Sequence, residues 1–364
     1  MRASDLTQHL LASMAVLKDQ AQDWLLDKTV GWPEQPTINK IDTHHHFVPP
    51  FYAEAISRNG GDPSAWSTPG WSSTASKLLM KRMGIKTAIL SVSAPSSMII
   101  SDPEAQQEIT RKMNEYAAAL RDEDPYSFGF FASLPDIRNS SAAVEEIRYA
   151  LDDLGADGVT LFTRYGPNYT YLGHAELDPV WAELNRREAV VFVHPTNPVD
   201  SNLVNPFLLQ PVIDYPHETT RAAMDMITSR TLLKYPDVKV ILSHAGGALP
   251  YLISRIATPL RKTPDIAARW KAGADHQDVM RSFKRFYYDI ALSSSPQVLA
   301  ALLAMVPHDH ILYGSDFPYA PAPAYPAFLE DYESADISSG VRDKINFQNA
   351  EALIPRLAKE LCAV

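Results

Sequence analysis

Eight short apolar runs divide the chain, and they restrict its fold more than any other feature. The runs are nearly continuous in apolar residues, as strands buried on both faces of a parallel sheet require. Between them lie stretches with helical spacing of apolar residues, for example 142–154, 178–187 and 296–306. The runs occupy residues 38–44, 87–92, 128–132, 158–162, 190–193, 238–242, 285–290 and 311–313.

Strand and helix alternating eight times predict a distorted (β/α)8 barrel of the TIM type, in the α/β class. A doubly wound open sheet is the alternative fold. We expect the barrel over residues 37–364, with a long insertion at 47–75 that is either active-site wall or a surface insertion. Residues 1–36 are predicted to be an N-terminal helical extension, because residues 4–28 have the spacing of one amphipathic helix.

The composition is that of an ordinary globular protein, with 46% hydrophobic and 21% charged residues. The net charge of −10 argues against general affinity for nucleic acid or an anionic membrane. Cys362 is the only cysteine, which excludes an intrachain disulfide and favours a reducing compartment. No apolar run approaches the roughly 18 residues of a membrane span, and the N-terminus lacks the pattern of a signal peptide. We therefore expect a cytoplasmic protein.

Three successive histidines close the first predicted strand. His44 and His46 share one face of an extended strand, because side chains alternate every two residues, and His45 points the other way. Two imidazoles at this spacing can bind one divalent ion. Asp42, on the same face, is either a further ligand or an orienting partner. A histidine run can also be a tag or a solvated loop, but a tag is longer and terminal.

Further polar residues follow later strands at their carboxyl ends, where a barrel places its active site. His194 follows the fifth strand, His244 the sixth and Asp316 the eighth. A single histidine is more often a satisfied core or loop residue, but five such positions make coincidence a poor explanation. The predicted site binds one divalent ion, with Zn²⁺ the first expectation and Mn²⁺, Fe²⁺ or Co²⁺ still open. Its four ligands are His44, His46, His194 and Asp316.

His244 is predicted to act on the substrate rather than on the metal. It stands before Ala245, Gly246 and Gly247, and glycines let the backbone approach a site closely. With four ligands already found, we assign His244 to proton transfer or substrate orientation. Asp289, at the end of the seventh strand, is expected to orient the metal ligands without binding the metal itself. No organic cofactor is expected.

These motifs together resemble those of the amidohydrolase superfamily, in the branch related to aminocarboxymuconate semialdehyde decarboxylase. The resemblance covers nearly all of the chain except the N-terminal extension. It implies a distorted barrel, one divalent ion held by the four predicted ligands, and a catalytic residue at His244. Relatives in this branch are often dimers or larger, so the resemblance also implies a homo-oligomer. The matching segments are 42–49, 193–195, 242–250, 314–318 and 346–350.

One departure from the superfamily bears on the number of metal ions. Many of its hydrolases bridge two metals with a modified lysine at the end of the fourth strand. Here that strand runs into Leu161, Phe162, Thr163 and Arg164, without a lysine. A single-metal site follows, and it favours the decarboxylase branch without excluding one-metal hydrolases.

The sequence constrains the substrate contacts least. An aromatic acid needs a flat apolar pocket and a cation for its carboxylate, and an arginine fork serves better than a lysine. Each candidate arginine can equally be a surface or structural residue. The segment 214–220 is either pocket wall or a helix N-terminus. The candidate contacts are Arg82, Arg164, Arg255, Trp71, Tyr215, His217 and Phe317.

The resulting hypothesis is a metal-dependent, non-oxidative carboxy-lyase that acts on a small phenolic acid of the salicylate or 6-methylsalicylate type. The metal would chelate the carboxylate and the neighbouring phenolate, and Asp316 or His244 would deliver a proton to the ring carbon. The first alternative is a one-metal hydrolase of an amide, ester or lactone, with Asp316 as the base. The second is a barrel scaffold that holds a structural metal.

Overall fold

Eight parallel strands form one sheet in which each strand pairs with the next along the chain. The structure is a computed structural model, which describes residues 32, 36–263, 265–266 and 274–361. The predicted N-terminal helix at 4–28 lies outside these residues. The strands are β1 Lys40–His46, β2 Ile85–Ser91, β3 Phe128–Ala132, β4 Gly158–Phe162, β5 Val190–His194, β6 Lys239–Leu242, β7 Tyr287–Asp289 and β8 Ile311–Leu312.

The sheet closes into a barrel between β1 and the segment after β8. The Thr43 N–H donates to the Tyr313 carbonyl at 3.0 Å, and the His46 N–H donates to the Phe317 carbonyl at 2.7 Å. His45 and Phe317 pair in parallel. Because these bonds join the first and last strands, the (β/α)8 barrel is confirmed and the open sheet is excluded. The pairing register of β1 with β2 shifts between Asp42 and His45, which is one source of distortion.

Helices cover the outside of the barrel, and residues typical of helix N-termini stand where they begin. The Asp102 carboxylate caps α3 by accepting from the Ala105 N–H, and a proline follows at the first helical position. The helices are α1 Pro50–Arg58, α2 Ser73–Met83, α3 Pro103–Glu123, α4 Ser140–Arg148, α5 Asp178–Arg186, α6 Gln210–Thr228, α7 Thr231–Lys234, α8 Leu249–Lys262, α9 His276–Arg285, α10 Pro296–Met305, α11 Ala324–Ser334, α12 Ser339–Asp343, α13 Asn349–Leu353 and α14 Pro355–Leu361.

Apolar side chains from six of the strands form one buried cluster inside the barrel, and Leu353 and Leu357 from α13 and α14 join it. The sheet contributes Ile41, Ile89, Phe131, Val190, Phe192, Ile241 and Leu312 to this cluster. None of the helices in the described residues is long and apolar enough to cross a membrane.

Candidate metal centre and active-site cavity

Four buried side chains from three strand ends converge at the carboxyl end of the barrel. The Nε2 atoms of His44 and His46 lie 3.0 Å apart. The Asp316 Oδ1 lies 3.3 Å from the first and 3.0 Å from the second. With His194 added, one ligand atom from each residue lies within 4.8 Å of all the others. That spread is comparable to twice the roughly 2.0–2.2 Å length of a bond from zinc to nitrogen or oxygen.

The outward nitrogen of each histidine in this cluster faces a hydrogen-bond acceptor. His44 Nδ1 donates to Asp289 Oδ2 at 3.0 Å, and His46 Nδ1 donates to the Ser91 carbonyl at 3.2 Å. His194 Nδ1 donates to the Pro195 carbonyl at 2.7 Å. An acceptor at Nδ1 fixes the tautomer that leaves the Nε2 lone pair bare. Three lone pairs and a carboxylate therefore face one point, and this donor set fits a divalent cation.

The charged groups around the cluster also favour a cation at its centre. Burial lowers the pKa of His44, but Asp289 and Asp316 outweigh burial and raise that pKa to about 10. Burial raises the pKa of Asp316, yet His44 and hydrogen bonds from neighbouring histidines hold it well below its usual range. Burial and the charges of His46 and His44 lower the pKa of His194 strongly. The carboxylates thus stabilise a cation at the centre, and a metal ion would replace the proton on His44.

Asp289 joins the cluster to His244. Its Oδ2 accepts from the His44 imidazole, while its Oδ1 accepts from the backbone N–H groups of His244, at 3.1 Å, and Ala291, at 3.0 Å. The carboxylate is fully buried. One side chain therefore orients the His44 ring and fixes the backbone that carries His244.

His244 approaches the cluster from a strained turn after β6. Its φ is +56°, and the left-handed conformation continues through Ala245, Gly246 and Gly247. A Cβ at Gly247 would lie 2.1 Å from the Pro216 carbonyl of α6, so only glycine fits there. The turn places His244 Nε2 3.2 Å from Asp316 Oδ2. His244 Nδ1 is buried and has no hydrogen-bond partner among the residues that the structure describes.

His45 faces away from the cluster, as predicted. Its Nδ1 bonds to Asp42 Oδ2 at 2.9 Å, and its Nε2 bonds to Ser76 Oγ of α2 at 3.0 Å. Asp42 also accepts from Ser315, at 3.0 Å for the N–H and 2.6 Å for the hydroxyl. Asp42 is therefore an orienting partner of β1 and of the segment that carries Asp316, and it is not among the clustered ligands.

Replacing His45 with alanine is expected to destabilise the fold by about 3 kcal/mol, because the change removes two buried hydrogen bonds and opens a cavity. The metal content of the folded protein should stay at the wild-type level. Denaturant unfolding of the metal-loaded protein, with elemental analysis of the same samples, measures both. A variant of wild-type stability that lacks metal would contradict this assignment.

A cavity of about 350 Å³ adjoins the cluster, bordered by His194, His244 and Asp316. The Tyr319 ring lies 5.3 Å from the His46 ring, and the Tyr215 ring lies 6.3 Å from the His194 ring, measured between centroids. The cavity is large enough for one substituted benzene ring. No lysine or arginine of the described chain borders it. The other lining residues are Asp62, Ser64, Trp66, Ser93, Ala94, Pro211, Val212, Pro216, Leu292, Ser293, Ala320, Pro321, Ala324 and Phe328.

The three candidate arginines lie away from this cavity. Arg82 is in the last turn of α2, before the amino end of β2, and Arg255 is exposed on α8. Arg164 donates to the carbonyls of Asn197, at 2.9 Å, and Gly166, at 2.7 Å, in a short hairpin after β4. Their positions agree with the alternative that each of these arginines is a surface or structural residue. The cations nearest to a bound carboxylate would be those of the metal centre.

Of the four remaining candidate contacts, only Tyr215 borders the cavity. His217 is exposed on α6. Trp71 is buried elsewhere, where its indole N–H donates to Ser76 Oγ at 3.0 Å. Phe317 packs beneath the site against the His45 ring at 5.1 Å. The segment 214–220 lies inside α6, which begins at Gln210, so the helix N-terminus interpretation is wrong.

Most of the cavity wall has no specific signal in the sequence. The predicted insertion at 47–75 folds as α1, a connecting segment and the start of α2. Asp62, Ser64 and Trp66 of the connecting segment reach the cavity, so part of the insertion is active-site wall. The pair Gly60 and Gly61, both with positive φ, was the available clue that the chain turns sharply there.

The barrel, its strand-end ligands and its closed core define the class of protein. The family model described as amidohydrolase matches residues 41–356, and the chain belongs to this family. The chain is 47% identical to the 6-methylsalicylic acid decarboxylase of Penicillium expansum over 318 residues, 87% of this chain and 97% of that protein. It is also 47% identical over 324 residues to the 6-methylsalicylic acid decarboxylase of Aspergillus aculeatus, with 88% and 97% covered.

A solved structure with a bound metal has the same fold. The dihydroxybenzoic acid decarboxylase from a Polaromonas species, with bound manganese and the inhibitor 2-nitroresorcinol, superposes with a TM-score of 0.73 at 25% identity. The match covers 87% of this chain and 97% of that one. Together with the donor set described above, this likeness supports a divalent metal at the four-residue cluster.

Proposed function

We propose that this protein is a metal-dependent decarboxylase of a small phenolic carboxylic acid, of the 6-methylsalicylate or salicylate type. The observation that carries the proposal is 47% identity to a 6-methylsalicylic acid decarboxylase over nearly the whole of both chains. The cavity supports this proposal, because aromatic side chains line the cavity and residues of the metal cluster border it. The chain would thus be a carboxy-lyase that needs no redox cofactor.

The chain's own residues would hold the substrate and move one proton. When bound at the cluster, the ion would supply a Lewis acid for the carboxylate and the neighbouring phenolate. Tyr215 and Tyr319 would hold the aromatic ring between apolar faces, because their own rings pack on the ligand histidines. No arginine or lysine of the described cavity wall would compete for the carboxylate.

We assign the proton transfer to His244. Its side chain borders the cavity, and its Nε2 is bonded to the Asp316 carboxylate. A proton of the imidazole would pass to the ring carbon that carries the carboxylate. The carbon–carbon bond then breaks, its electron pair restores the aromatic ring and carbon dioxide leaves. Solvent would return a proton to the imidazole.

Three finer properties belong to the same proposal. We propose Zn²⁺ as the resident ion, because three imidazoles and one carboxylate are a donor set typical of zinc. We propose a cytoplasmic location, because one cysteine in 364 residues suits a reducing compartment. We also propose a homodimer or larger homo-oligomer, with residues 1–36 as a separate extension that takes part in the interface or covers the barrel floor.

The decisive experiment measures carbon dioxide release from salicylate, 6-methylsalicylate and other hydroxybenzoates by the metal-loaded protein. The same preparation is tested for hydrolysis of a panel of lactones, esters and amides. We expect release from at least one 2-hydroxybenzoate and no hydrolysis. Hydrolysis without release from any acid would overturn the proposal in favour of a one-metal hydrolase. Metal without either activity would favour a scaffold.

A further inference from the structure

Asp62 is an acidic residue of the cavity wall to which the proposed reaction gives no role. Its Oδ1 accepts from the Ser64 N–H at 2.8 Å and from the Ser64 hydroxyl at 2.7 Å. Within the described chain its Oδ2 has no hydrogen-bond partner, although the residue borders the cavity. Burial raises the pKa of the Asp62 carboxyl. A partly desolvated carboxylate oxygen without a partner gains from a hydrogen-bond donor on a ligand.

Asp62 borders the cavity but is not among the clustered ligands. The rings of Tyr215 and Tyr319 lie beside the ligand histidines. Their hydroxyls interact with Ser64 and Ser93 respectively. The two phenol rings therefore span the distance between the cluster and a polar surface formed by Asp62, Ser64 and Ser93, which we call the distal wall.

A substrate ring bound alongside these tyrosines would have one end at the metal cluster and the other at the distal wall. Its carboxylate and 2-hydroxyl would face the cluster, so its carbons 4 and 5 would face the distal wall. An apolar edge there would leave the Asp62 oxygen desolvated and unpaired, at a cost of roughly 1–3 kcal/mol. A hydroxyl there would remove that cost.

We propose that Asp62, held by Ser64, selects phenolic acids that carry a second hydrogen-bond donor, such as a ring hydroxyl, at carbon 4 or 5. This inference rests on the proposed function and narrows its substrate class. The same carboxylate repels a second anionic group at that edge. Within the salicylate class, 2-hydroxybenzoates with a further hydroxyl at carbon 4 or 5 are then the better substrates, and aromatic dicarboxylates such as 4-hydroxyisophthalate are the poorer ones.

The test compares kcat/KM for salicylate with kcat/KM for 2,4- and 2,5-dihydroxybenzoate, in the metal-loaded wild type and in Asp62→Asn. A second hydroxyl also changes the intrinsic reactivity of the ring, so the change in ratio between the two proteins is the diagnostic quantity. Asparagine keeps the acceptor for Ser64 and presents an amide N–H in place of the free oxygen. We expect the preference for the better dihydroxybenzoate over salicylate to fall roughly tenfold or more in Asp62→Asn.

Three controls accompany this comparison. The ratio for 2,3-dihydroxybenzoate, whose second hydroxyl lies on the near side of the ring, should not change. Ser67→Ala alters an exposed residue of the same segment and should behave as the wild type. If Asp62→Asn does not fold, Ser64→Ala replaces it, because that change removes a hydroxyl that holds the carboxylate and should lower the same ratio several-fold.

The outcomes separate the inference from the proposed function. Carbon dioxide release with unchanged ratios in the folded variant would overturn the inference and leave the decarboxylase proposal standing. Faster turnover of 4-hydroxyisophthalate by Asp62→Asn than by the wild type would support the inference. Absence of release from 6-methylsalicylate and from every acid named here by the wild type would overturn both.

Discussion

Replacing His244 with asparagine is expected to lower kcat roughly 10²- to 10⁴-fold, the usual contribution of a positioned general acid. Asparagine suits this position because it tolerates the left-handed conformation, and the φ of residue 244 is +56°. It can still bond to Asp316, but it cannot deliver a proton. One equivalent of metal should remain, because His244 is not one of the four clustered ligands.

Steady-state kinetics with the acid that the wild type decarboxylates, together with elemental analysis, measure both quantities. His217→Asn is the matched control, because His217 is exposed on α6 and does not border the cavity. It should behave as the wild type. Near wild-type kcat in His244→Asn would show that Asp316 or solvent delivers the proton. Loss of metal from that variant would show that His244 is a ligand.

Replacing His194 with alanine is expected to remove the metal and to lower kcat by roughly 10³-fold or more, because a metal Lewis acid contributes several kcal/mol to such a reaction. Removing one of three converging Nε2 atoms leaves two imidazoles and one carboxylate. Removal of the ion from the wild type by a chelator should have the same effect on kcat. Activity should return with Zn²⁺ or Mn²⁺, and their relative effect tests the proposed ion.

Elemental analysis after dialysis gives the number of ions per chain, with one expected for the wild type. His308→Ala is the control, because this histidine is exposed after α10. A His194→Ala protein that keeps its full metal content would contradict the four-ligand site. Two ions per chain in the wild type would contradict the single-metal centre.

The sequence predicts the structure most accurately where the physical signal is local and periodic. The eight apolar runs became the eight barrel strands, with ends that differ by up to two residues, as at β1, which begins at Lys40. Alternation along an extended strand separated His45 from its neighbours, and α2 indeed supplies its partner Ser76. Of the two roles left open for Asp42, the structure has the orienting one, because Asp42 bonds to His45 and lies outside the cluster. The register of β1 shifts between these two residues.

The substrate contacts illustrate the opposite case. Arg82, Arg164 and Arg255 were candidates because of their charge and their position next to a strand or near a motif, yet none borders the cavity. Asp62 reaches it from a segment between α1 and α2 that has no periodic pattern. The sequence of such a segment does not indicate the direction of its side chains, because this direction depends on contacts with distant residues.

The sequence by itself determined the strands, the barrel and the identity of the residues that meet at the strand ends. Strand burial and the location of a barrel's site at its carboxyl ends are rules that the order of residues satisfies directly. Only the tertiary structure decided that Asp289 joins His44 to the His244 backbone. It alone placed Asp62 at the distal wall, because through-space contacts between connections depend on how the whole chain packs.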